Sequence, residues 1–403
     1  MSRPHDTHLR YIGVLAWAVV LIASGILLAA TEYSSRDPDS TVYAVIAARL
    51  SQEPLHRWIA PEWWGAWGAQ GLFREHPIGI LLLPAFVARL GYPASQAAYF
   101  VNGCFQAGSL LLIAAIAAAY ASPRESRALP WTLQLLLIAF VFRIRANQEF
   151  AVLAGIALAL YATERSREQI SWALVTVLAF VWVLLVKGVF GLAVPVLCGV
   201  WLAVRDTTVQ HRVAPWAALG LTVLAAPVVA LAYEALYRNV TGESFLAFYF
   251  GPRLDAPSVA QGALVRWPRQ VVWYGGRLIW YALPWSIFAL GAGIAVMWRS
   301  RRSAAGTADD RLGAGARGLA FVAAASAVMI AAFAIADRRA DRFIFPAYFF
   351  VGAAGTVAAI RWSPWLSRLI DRLDRPWVPP AFWFGLFLLR LASGSHLPRL
   401  MLR

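Results

Sequence analysis

The sequence predicts an all-α membrane protein that crosses the bilayer about eleven times. Of its 403 residues, 60% are apolar and only 14% are charged, and the mean hydropathy is +0.60. A soluble domain carries roughly 45–50% apolar and about 25% charged residues. Apolar runs of about 20 residues match the hydrocarbon thickness of a bilayer, where a helix satisfies its own backbone groups. Soluble enzymes, fibres and disordered chains are therefore excluded.

The predicted spans are uninterrupted apolar stretches between charged or Pro- and Gly-bearing breaks. The first follows Arg3 and Arg10 and is longer than the apolar region of a typical signal peptide, so we expect it to stay as an anchor. We place the spans near residues 11–30, 96–121, 130–145, 147–163, 171–186, 188–204, 213–237, 276–298, 318–336, 342–360 and 379–394.

One further apolar segment, Pro77–Tyr92, decides the orientation. It has about 16 residues and is broken by Pro84, so we expect it to lie at the interface or to re-enter the membrane. With a cytoplasmic N-terminus, the inner loops then hold Lys and Arg at a higher density than the outer segments, as the positive-inside rule requires. If Pro77–Tyr92 crossed the membrane, this distribution would be inverted.

The chain is predicted to be one integral membrane domain, residues 1–403, with two long outer segments. Residues 31–95 and 238–275 fall on the same outer face in this topology, so both can close over one cavity. Residues 299–317 are rich in Arg, Gly and Ala, and we expect them to form a flexible cytoplasmic link.

The first outer loop is predicted to contain interfacial helices. Asp39 or Ser40 is a suitable N-cap for a helix at 40–51, and the tryptophan-rich stretch after it is typical of headgroup level. The apolar residues of this helix share one stripe, formed by Val42, Tyr43, Ile46, Ala47 and Leu50.

Positive charge exceeds negative charge, with 36 Lys and Arg against 21 Asp and Glu, for a formal net charge of +15. No basic run or RNA-binding motif accompanies this excess, so we expect membrane lipids and no nucleic acid as partners. Cys104 and Cys198 both lie inside apolar runs, which supports neither a disulfide framework nor a thiolate metal site.

Two acidic clusters in the first outer loop have residue types suited to chemistry. Asp37 and Asp39 follow the first span, where a carboxylate can accept a proton or hold a divalent cation. The structural alternative is that Asp39 caps a helix and Asp37 is solvated. Glu75 and His76 precede Pro77, and a helix start is the ordinary interpretation of that pattern. The sequence does not require a metal; Asp37, Asp39 and Glu75 are the candidate ligands.

Three short outer turns are cationic, against the bias that sets the orientation. Lys and Arg near helix ends ordinarily snorkel to the nearest headgroup, and snorkelling suffices for Glu234 and Arg390. A phosphate-bearing lipid at the outer leaflet would explain the three turns together, because guanidinium and ammonium groups form charge-assisted hydrogen bonds with phosphate. The turns carry Arg143 and Arg145, Lys187, and Arg338, Arg339 and Arg342.

Four short motifs follow one another along the chain: Asp39-Ser-Thr-Val-Tyr43, Glu75-His76-Pro77-Ile78-Gly79, Leu185-Val186-Lys187-Gly188 and Arg342-Phe343-Ile344-Phe345-Pro346. In this order they resemble motifs of one branch of the GT-C glycosyltransferases, which contains the protein O-mannosyltransferases and the lipid A aminoarabinose transferase. His76 stands where that family has Lys, Ile78 replaces a Pro, and Glu149 is at best a displaced acid after Arg145.

The resemblance implies a GT-C bundle and an inverting transfer of a sugar from a polyprenyl-phosphate donor. The acceptor would be a hydroxyl of an unknown lipid, glycan or protein at the periplasmic face of a bacterial inner membrane. No cofactor is certain, and a divalent metal is left open. Asp39 would be the catalytic base, with Asp37 in support. The donor phosphate would be bound by His76, Arg145, Lys187 and Arg342, with support from Glu75, Arg339 and Tyr43.

Two functions from other classes stay open. A transporter or flippase for a lipid-linked sugar also needs cationic turns and intramembrane polar residues, but it needs no acid in the first loop. A structural or polymerase-accessory protein would give no product with any donor and would tolerate changes at Lys187 and Arg342.

Overall fold

In a computed structural model the chain folds into helices joined by short turns. The structure describes residues 4–205, 213–254, 257–302, 310–335 and 339–393, and within them the β pairing consists of one isolated bridge. The predicted all-α class is confirmed. The helices are α1 (Pro4–Ala29), α2 (Pro38–Leu50), α3 (Gly79–Arg89), α4 (Ala94–Ala117), α5 (Pro123–Thr132), α6 (Leu137–Phe142), α7 (Glu149–Arg165), α8 (Trp172–Lys187), α9 (Ala193–Arg205), α10 (Val213–Thr241), α11 (Phe245–Leu254), α12 (Pro257–Tyr281), α13 (Trp285–Arg302), α14 (Asp310–Ala334), α15 (Phe345–Trp362), α16 (Pro364–Leu373) and α17 (Val378–Ser393).

The protein is a multi-pass membrane protein. In the described chain, six helical segments are long and apolar enough to cross a bilayer, or up to seven when one sharply bent pair is counted as a span. Among the described residues, the structure therefore does not show the eleven spanning helices that the sequence predicts. The six segments are Tyr11–Ala29, Ala94–Ala117, Trp172–Arg205, Val213–Thr241, Gly315–Ala334 and Asp341–Trp362.

Two predicted spans are interrupted. The span predicted at 130–145 is divided between α5, a 3-10 turn at Leu133–Leu135 and α6, with Leu136 leaving the helical conformation at ψ 133°. The span predicted at 276–298 bends by 113° between α12 and α13, where Pro284 has no amide hydrogen to continue a helix. Both stretches look continuous by apolarity alone, because apolarity does not report backbone breaks.

The segment Trp172–Arg205 folds back on itself at Gly188, whose φ is +60°. Thr163 Oγ1 lies 3.5 Å from Thr176 Oγ1 in α8 and 3.4 Å from Cys198 Sγ in α9. The two helices therefore run in opposite directions beside α7. This hairpin brings Lys187 to its apex, next to the start of α7.

The first loop contains two short helices. α2 buries the whole predicted stripe, but its N-cap is Asp37 rather than Asp39 or Ser40, and Pro38 occupies the first helical position, where no amide hydrogen is needed. α3 has 11 residues and is about 16 Å long, too short to cross the membrane alone, as predicted for Pro77–Tyr92.

Helices also occupy the other two segments that the sequence marks as polar. The second long outer segment, 238–275, holds α11 and most of α12. Within the predicted link at 299–317, α13 continues to Arg302 and α14 begins at Asp310, while residues 303–309 lie outside the described part of the chain.

α15 is the central helix of the bundle. In its most apolar stretch 94% of the residues are buried, against 17% in the corresponding stretch of α10. Phe345 at its start packs on Phe142 and Phe150, with ring centroids 5.1 Å away in each case. Because Arg342 precedes this anchored end by one turn, the packing of α15 fixes the position of that arginine.

Gly355 is required where α15 meets α13. A Cβ atom at this position would overlap the carbonyl oxygen of Trp285. We expect Gly355→Ala to lower the free energy of unfolding by about 1–3 kcal/mol, because backbone cannot yield as a side chain does. Thermal unfolding in detergent measures this change. Gly108→Ala in α4, where the added carbon meets nothing within 4 Å, is the matched control; equal melting temperatures for the two variants would contradict the close approach.

Candidate active site

Asp37 joins the first loop to the turn between α6 and α7. Its Oδ2 accepts hydrogen bonds from the amide and the hydroxyl of Ser40, at 3.2 and 2.6 Å, and its Oδ1 accepts one from Arg145 Nη1 at 3.1 Å. The two side chains of this ion pair are 16% and 12% exposed. Asp37 is thus a paired, helix-capping carboxylate, and the interpretation of Asp37 as solvated is wrong.

Ser40 and Gln148 add a second set of links between α2 and the same turn. Ser40 Oγ donates to Asp37 and accepts from the amide of Ala146 at 3.0 Å. Gln148 Nε2 donates to Tyr43 Oη at 2.7 Å. These buried hydrogen bonds fix the turn, and hence Arg145, against the start of α2.

Asp39 forms an ion pair with Arg342, which lies in the 3-10 turn Asp341–Ile344 before α15. Asp39 is in the first turn of α2 and does not cap the helix, which corrects the structural interpretation. Both side chains of this pair stay partly exposed. Asp37 and Asp39, two residues apart, therefore hold two arginines from distant parts of the sequence in one place.

Lys187 belongs to a buried ion pair with Glu149, the first residue of α7. Its Nζ is 3.3 Å from Glu149 Oε1, and the two side chains are 9% and 2% exposed. The ammonium also lies 4.7 Å from the centre of the Phe190 ring. The sequence offered Glu149 only as a displaced acid, and nothing in it identified Lys187 as the partner.

Tyr43 lies among the carboxylates of the site. Burial raises the pKa of its phenol well above the ordinary value, and the negative charges of Glu149, Glu75 and Asp37 act in the same direction. Its ring is 6.3 Å from that of His76, centre to centre. Tyr43 therefore stays neutral and connects the Glu75-His76 motif to the residues around Glu149.

Tyr33 lines the same region from the segment after α1. Its Oη donates to the carbonyl of Ile144 at 3.0 Å. Burial raises the pKa of this phenol to about 12, although the charges of Arg390 and Arg145 oppose the rise. Tyr33 thus places a neutral hydroxyl beside the Arg145 turn.

Arg339 is directed away from the two aspartates. Its Nε donates to Gln270 Oε1 at 2.7 Å, and its guanidinium lies 5.9 Å from the centre of the Trp273 ring, so it binds α12. The predicted supporting residue therefore contacts α12. Arg338 lies outside the described residues.

Asp341 is a site residue that the sequence analysis missed. It accepts a hydrogen bond from Tyr281 Oη at 3.1 Å and pairs with Arg277 at 3.3 Å. Its position directly before Arg342 was the one signal available. Through this contact the end of α12 is tied to the turn that carries Arg342.

Two polar residues expected to snorkel are inside the protein instead. Arg390 is 2% exposed, which corrects the snorkelling prediction. Glu234 is also buried; it pairs with Arg238 and accepts a hydrogen bond from the amide of Leu246 at 2.9 Å. Hydropathy places such residues near a helix end but does not show which way the side chain turns.

The described residues contain no group of three or more His, Cys, Asp and Glu side chains that could hold a metal ion. Asp37 and Asp39 each face an arginine, so the candidate ligands Asp37, Asp39 and Glu75 are not gathered as a metal site.

A cavity of about 750 Å³ lies at the other end of the bundle. It is lined by residues of α13, α14 and α15 and by the ion pair of Glu125 with Arg361. Arg361 and Arg342 stand at opposite ends of α15, so this cavity is separate from the aspartate–arginine site.

Crystal structures of ArnT from Cupriavidus metallidurans, bound to undecaprenyl phosphate and in the apo state, are similar to this chain. Their TM-scores are 0.58 and 0.55, at 18% and 19% sequence identity over 89% of this chain. The chain has a GT-C-like fold. This GT-C-like chain spans slightly less than two thirds of ArnT, 63% and 62% in the two structures.

The oligosaccharyltransferase of Archaeoglobus fulgidus is also similar, at 14% identity and a TM-score of 0.46, over 93% of this chain and 53% of that one. No family model and no curated protein matches the sequence. The similarity to ArnT is therefore one of fold.

The Lys187–Glu149 pair gives a test of the site's electrostatics. We expect Lys187→Met to lower the free energy of unfolding by about 3–5 kcal/mol, because it leaves a buried carboxylate without its counter-charge. The double variant Lys187→Met with Glu149→Leu should recover much of that loss, since no buried charge is left. Thermal unfolding in detergent compares them. A double variant less stable than Lys187→Met would contradict this expected recovery.

Proposed function

We propose that the protein transfers a sugar from a polyprenyl phosphate to an acceptor hydroxyl, with inversion at the anomeric carbon. The observation that carries this proposal is the meeting of Asp37 and Asp39 with Arg145 and Arg342 at one end of the bundle. A carboxylate suited to accept a proton thus lies beside guanidinium groups suited to bind phosphate. On the charge distribution of the loops, this end faces the periplasm of a bacterial inner membrane.

The carrier class is supported by the fold comparison. ArnT of Cupriavidus metallidurans was crystallised with undecaprenyl phosphate, and this chain shares its fold. No part of the described chain folds as a nucleotide-binding sheet, so an activated sugar attached to a lipid is the donor that suits a site at the membrane surface. The sugar and the acceptor are left unspecified in this proposal.

The transfer is a single displacement. Asp39 takes the proton of the acceptor hydroxyl while the hydroxyl oxygen forms a bond with the anomeric carbon. The bond between that carbon and the phosphate oxygen breaks, and polyprenyl phosphate leaves with the electron pair. General-base assistance of this kind contributes about 10²–10⁴-fold. Positioned cations stabilise the charge that grows on the leaving phosphate.

Arg342 has two roles in this scheme. In the resting protein it neutralises Asp39. A donor phosphate carries negative charge and offers several acceptor oxygens to a guanidinium, so it competes with the carboxylate for Arg342. Donor binding thereby releases Asp39, which becomes available as the base once the phosphate has replaced it.

The other predicted residues surround this exchange. Arg145 is the second guanidinium, and Asp37 sets its position; Lys187 lies deeper, held by Glu149. His76, Glu75 and Tyr43 form the side of the site nearest α3. We assign His76 to the donor phosphate and Tyr43 and Glu75 to support. Arg339 contributes through its contact with α12.

Asp39→Asn tests the base. We expect transfer from a synthetic polyprenyl-phosphate sugar to fall by at least about 100-fold, because an amide cannot accept the proton. Donor affinity should be equal or higher, since Arg342 loses its carboxylate competitor. Asp37→Asn, which retains a capping side chain, is the comparison and should lose less activity. Full transfer by Asp39→Asn would disprove the assignment. Translocation of the intact donor without transfer by the wild type would favour a flippase.

Arg342→Gln tests the phosphate site. We expect donor affinity to fall by about ten- to a hundred-fold, which corresponds to the loss of about 1.5–3 kcal/mol from hydrogen bonds to a charged group. Affinity can be measured by ligand-dependent thermal stabilisation in detergent. Arg372→Gln on α16, an exposed position beyond the far end of α15, removes the same charge and should leave affinity unchanged. Equal affinity for both variants would count against Arg342 as a phosphate ligand.

A further inference from the structure

Arg390 of α17 is a buried cation for which the described chain provides no carboxylate. Its side chain is 2% exposed, and its Nε and Nη1 atoms have no hydrogen-bond partner within the described residues. Taking a charge out of water without a counter-charge is costly, and buried charged groups are ordinarily paired. A position that retains such a charge therefore calls for an anion from outside the chain.

Arg390 lies near the turn that carries Arg145. Phe387, three residues before Arg390 on α17, lines a small cavity together with Arg143 and Ile144 of that turn. Arg390 is also within electrostatic range of Tyr33 and Arg145. Tyr33 is hydrogen-bonded to the carbonyl of Ile144, the residue before Arg145. The last helix of the described chain thus brings a positive charge next to the turn that carries Arg145.

The charges of the candidate site indicate why an additional cation matters there. The three cations assigned to phosphate, Arg145, Arg342 and Lys187, are matched one for one by Asp37, Asp39 and Glu149. These three ion pairs are neutral as a set, and Glu75 is a further carboxylate near Tyr43, so the paired residues alone give a phosphate little net attraction. Arg390 adds one positive charge that none of these carboxylates neutralises.

We propose that Arg390 is a positioning residue for the phosphate of a polyprenyl phosphate, acting through Arg145 and the local positive potential rather than by contact. The inference rests on the proposed function. Its buried atoms are closed to the ligand in this structure, so the effect is electrostatic, and electrostatic effects are strong where water is excluded.

A purely structural role makes the opposite prediction for stability. If Arg390 were retained for packing, its replacement would destabilise the empty protein. If its charge is uncompensated until the phosphate binds, Arg390→Gln removes an unfavourable buried charge from the protein without ligand and weakens only the complex. The two roles therefore differ in the sign of the change in melting temperature.

The experiment compares wild type, Arg390→Gln and Arg390→Lys as full-length proteins in detergent, with undecaprenyl phosphate as the probe. We expect Arg390→Gln to melt at the same or a higher temperature without the probe and to bind it about tenfold more weakly. Arg390→Lys, which keeps the charge, should bind within about threefold of wild type. Arg143→Gln removes another buried guanidinium, one that donates hydrogen bonds to Gln134, and controls for the stability change. Arg372→Gln controls for net charge.

Each outcome decides the proposal. Equal binding by wild type and Arg390→Gln overturns it while leaving the proposed function intact. A large loss of stability or failure to fold in Arg390→Gln assigns Arg390 a structural role and also overturns it. Absence of probe binding by the wild type instead contradicts the proposed function itself, and this inference with it. Weaker binding by Arg390→Gln, restored by Arg390→Lys, supports the electrostatic role.

Discussion

The site depends on Asp37. This one carboxylate starts α2, binds Ser40 and holds Arg145, so it sets a helix terminus and an ion pair with the same two oxygen atoms. The first turn of α2 then carries Asp39 to Arg342. Because a capping carboxylate has little freedom to move, the two arginines are located by a local rule of helix formation rather than by long-range packing alone.

The cations of the site are not free in the resting protein. Each of Arg145, Arg342 and Lys187 has a carboxylate partner, and the pairs differ in accessibility. The Lys187–Glu149 pair is the most buried of the three, whereas the Asp39–Arg342 pair is partly open to solvent. An incoming anion can therefore exchange with Asp39 more readily than with Glu149, because the outer pair loses less when water or ligand replaces it.

The sequence could predict the class of the protein, and it named several of the residues that the structure brings together at the candidate site, because both follow from local signals. Long apolar runs indicated the membrane helices, and Asp39 or Ser40 indicated a helix start close to the observed N-cap, Asp37. The interruptions at Leu136 and Pro284 were missed, since apolarity reports neither the backbone conformation at Leu136 nor the bend at Pro284. The pairing of Lys187 with Glu149 was missed because the two residues are 38 positions apart.

The direction of buried side chains was equally out of reach. Arg390 reads as a cation near a helix end, and only the neighbouring helices decide that it turns inward. Asp341 was passed over because its partners, Tyr281 and Arg277, belong to α12, about 60 positions earlier in the chain. Local sequence patterns indicate which residue types could belong to a site, whereas the contacts between helices determine which side chains pair with each other.

In the proposed transfer reaction, the Asp39–Arg342 pair also affects the order in which the substrates bind. A base that is masked by its own arginine cannot deprotonate a hydroxyl, or a stray water molecule, until another anion has taken the arginine. The two substrates would then add in a compulsory sequence, carrier lipid first, and an activated sugar would meet a competent base only when it is already seated. Such a gate limits wasteful hydrolysis without any moving lid.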